Sequence, residues 1–123
     1  MPPVLSSPLV ARSHSLPRGP RVRLRLAQSR DVRAIQTLLR ARGIVREPLE
    51  IARLVRSDPR RRIVICATAL VDRNETLLGV AGMDVDAAEP DLVCVDETLT
   101  DGLTELLERA LVSRASAIAA RAA

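Results

Sequence analysis

The order of its apolar and turn-forming segments predicts a mixed α/β (α+β) domain, a mainly antiparallel four-strand sheet with three helices in the order β-α-α-β-β-β-α. Three observations carry that prediction. Residues Arg21 to Leu26 alternate strictly between arginine and an aliphatic residue, the two-residue period of a half-buried strand. Val32, Ile35, Leu38 and Leu39 recur at the spacing of one helix face. Ile63 to Leu70 is a β-rich run, and Asp72-Arg73-Asn74-Glu75 then offers turn residues before a second apolar run, which reads as a hairpin.

Taken along the chain, residues 1–20 hold Pro2, Pro3, Pro8, Pro17 and Pro20 among serines and arginines, and read as a disordered Pro/Ser/Arg-rich tail. The ordered domain is expected over 21–121. Its first strand turns Arg21, Arg23 and Arg25 toward solvent. Ser29 is placed to cap the first helix, Asp31 suits its first turn, and Gly43 ends it. Pro48 opens a shorter helix carrying Leu49, Ala52 and Val55, which stops before Asp58-Pro59. The return strand of the hairpin spans Thr76 to Asp84, where Gly79 and Gly82 mark a kink or a close approach. A loop through Pro90 reaches the strand Leu92–Val95. The last helix starts between Thr98 and Asp101 and buries Leu103, Leu106, Leu107, Ala110, Leu111 and Ile118.

Composition narrows the chemistry. The 123 residues suit one domain, and 47% apolar content is that of a globular chain. There is no Phe, Tyr or Trp, so the core is aliphatic and neither a tyrosine acid nor an aromatic stacking platform exists. All 19 basic residues are arginine, which excludes lysine Schiff-base chemistry. The net charge of +4 conceals an asymmetry: residues 1–62 sum to +11 and residues 63–123 to −7. The two halves either complement each other within the fold or leave a basic surface for an acidic partner. Cys66 and Cys94 lie in apolar runs and read as buried free thiols, too far apart on a sequential sheet for a disulfide. No apolar run approaches the ~18 residues of a membrane span, and no signal-peptide core precedes the domain, so a cytoplasmic location without membrane contact is expected.

No catalytic residue can be named from the residues alone. Asp84, Asp86, Glu89 and Asp91 are the acids from which a general base would come, although a solvated loop is the simpler account of them. His14, Cys66 and Cys94 make no metal-ligand set, so no metal is expected. Arg21, Arg23, Arg25 and Arg60–Arg62 would contact nucleic-acid phosphates if they shared one face; a solvated face is the simpler account, and nucleic acid is the weakest reading.

The order and spacing of elements over 21–121 resemble the N-terminal two-thirds of the GNAT superfamily of acyl-CoA N-acyltransferases. Val22 to Leu39 looks like the family's opening strand and helix, and Leu78-Gly79-Val80-Ala81-Gly82 like its central strands. The resemblance implies acetyl-CoA as cofactor and transfer of its acetyl group to an amine. It further implies that Val93 and Val95 offer backbone groups to the pantetheine arm, and that Gly102, Leu103 and Thr104 lie where the pyrophosphate loop binds. Two departures mark a truncated or degenerate member. With Gly102 at the first glycine of the family's Q/R-x-x-G-x-G/A loop, Leu99 replaces the Gln or Arg and Thr104 the second small residue. The chain also stops after the third helix, without the later strands and tyrosine.

Electrostatics argue the same way. Asp96, Glu97, Asp101 and Glu105 crowd this junction, and one like-charge contact near 4 Å costs about 4 kcal/mol at an effective dielectric of ~20. A helix N-terminus returns only about 0.3–1 kcal/mol. The sequence therefore supports a GNAT-like acetyltransferase domain with weak or no activity. Its alternative is a non-catalytic interaction or dimerisation module, a homodimer or partner strand using the open edge of Leu92–Val95. An arginine-mediated nucleic-acid binder ranks third.

Overall fold

The computed structural model of the chain describes residues 10–17, 20–96, 98 and 102–122. Five strands form one sheet in sequential order: β1 (Ser13–Ser15), β2 (Arg21–Leu26), β3 (Arg62–Val71), β4 (Asn74–Asp84) and β5 (Leu92–Val95). Every neighbouring pair is antiparallel. The helices are α1 (Val32–Ala41), α2 (Pro48–Val55) and α3 (Leu103–Ala122). The chain is α+β, and the expected four-strand sheet is corrected to five.

The additional strand comes from the segment read as tail. Ser13, His14 and Ser15 pair with Arg23, Val22 and Arg21. Just beyond them Leu16 is buried in the core, so an edge ladder and one apolar anchor together hold a stretch whose composition favours disorder.

Alternation along the strands divides the core between the two faces. Val22, Leu24, Ile63, Ile65, Ala67, Ala81 and Met83 face α3, which contributes Leu103, Leu106, Leu107, Ala110, Leu111 and Ala115. On the opposite face Val64, Cys66, Val80 and Cys94 meet Ile35, Leu38 and Leu39 of α1 and Ile51 of α2. Half-buried Ile118 continues the stripe of α3.

Small residues in β4 set how closely these layers approach. A Cβ on Gly79 would stand 3.1 Å from Leu107 Cδ1 and 3.3 Å from Leu103 Cδ2. One on Gly82 would stand 2.9 Å from an Arg62 guanidinium nitrogen. Both glycines therefore mark close approaches, by side chains at Gly79 and by the Arg62 guanidinium and the Ile63 carbonyl (3.4 Å) at Gly82.

Two local details differ from the sequence reading. Asp31, not Ser29, organises the entry to α1: its carboxylate accepts the Gln28 backbone N–H at 2.7 Å, around a short 3-10 turn at Ser29–Asp31. The hairpin turn is only Asp72-Arg73, both with positive φ (51° and 68°), as a two-residue turn that continues the strand twist requires.

Leu107 is fully buried against β4, whereas Val112 on the same helix is 48% exposed. Urea denaturation is expected to show Leu107→Ala losing about 2–5 kcal/mol of stability, and Val112→Ala within about 0.5 kcal/mol of the unaltered protein.

Candidate functional site

β5 is one edge of the sheet, and among the described residues no strand pairs with its outer side. Its register against β4 pairs Gly79 with Val95, Val80 with Cys94, Ala81 with Val93 and Gly82 with Leu92. Asp96 continues that register, its N–H donating to the Leu78 carbonyl at 2.8 Å. Antiparallel ladders alternate, so the backbone groups of Leu92 and Cys94 point toward β4 and those of Val93 and Val95 point outward. The two residues thus present N–H and C=O groups along the free edge. Their side chains turn toward α3, Val95 buried and Val93 half-buried.

The other three residues implied by the resemblance open α3. Gly102 has φ +83°, a left-handed backbone that glycine adopts without strain, and its carbonyl accepts the Leu106 N–H at 3.0 Å. The N–H groups of Leu103, Thr104 and Glu105 therefore precede the first intrahelical bond. The Leu103 side chain is not available to a ligand, being fully buried against Gly79. Thr104 is half-buried. The helix begins at Leu103, later than the Thr98–Asp101 start expected from sequence.

Pro17 covers this helix start from the far side, its Cδ 3.0 Å from where a Gly102 Cβ would stand. Ser13 to Pro17 together with Gly102, Glu105, Leu106 and Arg109 line a groove of about 590 Å³. Between β5 and α3, one Asp96 carboxylate oxygen accepts both the Thr98 N–H (2.9 Å) and the Thr98 hydroxyl (2.7 Å). These bonds hold the Asp96 carboxyl below the usual carboxylate range, and the charge of Arg42 adds to the effect. Glu97, Leu99, Thr100 and Asp101, which the sequence reading placed in the same junction, lie outside the described residues.

The arginine cluster does not reach that junction. Arg62 Nη1 and Nη2 bind the two Asp91 carboxylate oxygens at 2.6 and 2.7 Å, and Nη1 also binds Asp84 at 3.1 Å. Asp91 immediately precedes β5, so this clamp sits at the opposite end of the strand, roughly 16 Å from Asp96 at ~3.3 Å per residue. Two of the candidate general bases are thereby occupied. Hydrogen bonding to Arg62 holds the Asp91 carboxyl below its ordinary range, which makes it a weaker base. The half-buried position of Arg62 was unreadable from sequence: nothing local distinguishes it from Arg60 and Arg61, which are exposed.

Arg25 departs from the outward, solvated position expected of it. Its guanidinium makes two 2.7 Å bonds to the Asp31 carboxylate and one of 2.8 Å to Glu75, and only 13% of the side chain is exposed. Burial alone would raise the Asp31 pKa; hydrogen bonds from Arg25 and the Gln28 N–H outweigh it and leave the carboxyl below its ordinary value. Burial pushes the Cys66 thiol up to about 12, and raises Cys94 as well, so neither is a nucleophile at neutral pH. Both are free, as the sequence anticipated.

Arg21 and Arg23 do not share a site with Arg60–Arg62. Arg23 lies opposite Thr68, six residues along β3 from Arg62, a separation of roughly 20 Å. Among the described residues no group of three His, Cys, Asp or Glu side chains is placed to hold a metal ion, and no helix is long and apolar enough to cross a membrane. Comparison with family models, curated proteins and solved structures gave no match.

A carboxyl whose folded-state pKa lies below its unfolded value adds stability that is complete above the unfolded value, near 3.9 for Asp, and is lost as pH falls through the folded one. Asp31→Asn is therefore expected to lower the melting temperature at pH 7 and to flatten its fall below about pH 4. Thermal melts between pH 2.5 and 7 check this, and an acid limb unchanged by the substitution would remove Asp31 from the account.

Proposed function

We propose that the chain is a GNAT-like domain with little or no acyl-transfer capacity, which works as an interaction module by pairing β5 with the β5 of a second copy. The observation that carries this reading is the outward-facing backbone of Val93 and Val95 on an edge with which no strand pairs among the described residues. The strand Leu92–Val95 contains neither arginine nor proline, two of the devices by which sheet edges discourage pairing. In an antiparallel pair centred on Cys94, Val93 of each copy faces Val95 of the other and the two exchange both hydrogen bonds. Beside the start of β5, Leu92 shares a pocket of about 200 Å³ with Arg46, Glu50 and Ile51. Val45 and Leu49, which flank Arg46 and Glu50 in sequence, are 74% and 62% exposed and add apolar surface to the α1–α2 side.

The reading of low transferase capacity has its own support. Arg62 is committed to Asp84 and Asp91 at the wrong end of β5, Asp96 stands at the junction as a carboxylate, and Pro17 lies on Gly102. A second reading, acyl-CoA binding, keeps one observation in its favour. The same outward amides would suit a pantetheine arm, and the N–H groups of Leu103 and Thr104, which precede the first intrahelical bond, would suit its pyrophosphate.

Sedimentation equilibrium is expected to show a concentration-dependent dimer that Val93→Pro converts to monomer. Because the Val93 N–H points away from β4, proline there spares the β4–β5 ladder, and the circular dichroism should be retained. A monomer at every concentration, or a dimer indifferent to the substitution, would sink the self-pairing reading. Calorimetry with millimolar acetyl-CoA is expected to give no saturable heat; saturable heat lost in Val93→Pro would favour the coenzyme instead.

A further inference from the structure

We infer that the far end of α3 forms a binding site for a small polyphosphate anion, in a cleft between α3 and the loop leading into β3. The cleft has a volume of about 520 Å³ and is lined by Pro59, Arg60, Arg114, Ile118 and Arg121. It does not rest on the β5 reading. Along α3, at 1.5 Å per residue, Arg114 and Arg121 stand roughly 18 to 28 Å from Gly102. The site is therefore separate from the strand–helix junction.

The placement follows from two elements that are distant in sequence. Arg114, Ile118 and Arg121 recur at i, i+4 and i+7, so one stripe of α3 carries two guanidinium groups on either side of an aliphatic residue. The Asp58-Pro59 turn, held by the Arg60 N–H donating to Asp58 Oδ1 at 2.9 Å, brings Arg60 against the same stripe. Three arginines line the cleft together, and among the described residues no carboxylate lines it. That differs from Arg25, Arg46 and Arg62, each of which is paired with an acid of the same chain. Like charges gathered along one cleft repel one another, and an anion seated among them reverses that cost.

Arginine forks match the oxygens of phosphate in number and geometry, and three of them suit two or three linked phosphoryl groups better than one carboxylate. Pro59 and Ile118 supply an apolar wall for whatever body carries the phosphates. A small ligand is favoured over a nucleic-acid strand because the adjoining groove holds Asp58, Asp84 and Asp86 beside Arg60 and Arg61, and those acids would repel a backbone running on past the cleft.

The test is calorimetric titration of the full chain with sodium tripolyphosphate at fixed ionic strength, with sodium sulfate as the control anion. One tripolyphosphate per chain is expected, bound more tightly than sulfate. Arg114→Gln and Arg60→Gln, on different elements, should each weaken it by about tenfold or more, and Arg23→Gln on β2, opposite the far end of β3, should not change it. No saturable binding, or equal weakening by all three substitutions, would overturn the proposal. Duplex DNA bound more tightly than tripolyphosphate and weakened by Arg23→Gln as well would overturn it in favour of a diffuse nucleic-acid surface.

Discussion

The contact between Leu103 and Leu107 of α3 and Gly79 of β4 is the one on which the rest of the architecture depends. A chain without aromatic residues can fill the space between a helix and a sheet only by bringing them close, and leucine against a glycine in mid-strand does so. Once that contact is made, the course of α3 is set. Its first turn lies beside β5 and under Pro17, and its far half lies against Pro59 and Arg60. Both candidate surfaces, the β5 edge and the arginine cleft, are consequences of that one helix position.

The charge asymmetry of the sequence is met in part inside the fold. Arg25, from the basic half, binds Glu75 of the acidic half as well as its neighbour Asp31, and Arg62 binds Asp84 and Asp91. These pairs join the basic first half to β4 and to the residue before β5. The guanidinium of Arg62 lies over Gly82, so the ion pair and the missing side chain are parts of one arrangement. Arginines left outside such pairs, at the cleft and on the outer face of β2, are where the excess positive charge is displayed.

Periodic features were legible in the sequence and long-range ones were not. The alternation of Arg21–Leu26 and the stripe Val32, Ile35, Leu38, Leu39 determine which way each side chain turns, and each was placed correctly except Arg25. Arg25 and Arg62 were missed because their partners lie up to 50 residues away, and no local signal marks an arginine that will be buried. β1 was missed for a related reason. Three residues between prolines carry too little pattern to read as a strand, and their order comes from the ladder that β2 offers and from the burial of Leu16. At the candidate site, the strand and the glycine before α3 were readable, but the end of β5 to which Arg62 belongs depends on sheet register.

The two-residue turn at Asp72-Arg73 bears on how the chain reaches this state. It closes the longest ladder in the molecule, from Val71 paired with Asn74 out to Arg62 paired with Asp84, through the shortest loop. Loop-closure entropy rises with the length of chain enclosed, so this hairpin is the least costly pairing to form from the unfolded ensemble. The seating of Pro17 on Gly102 encloses a separation of 85 residues and yields little until both surfaces exist. By the same entropy argument, the β3–β4 hairpin closes at far lower cost than the contact between Pro17 and Gly102.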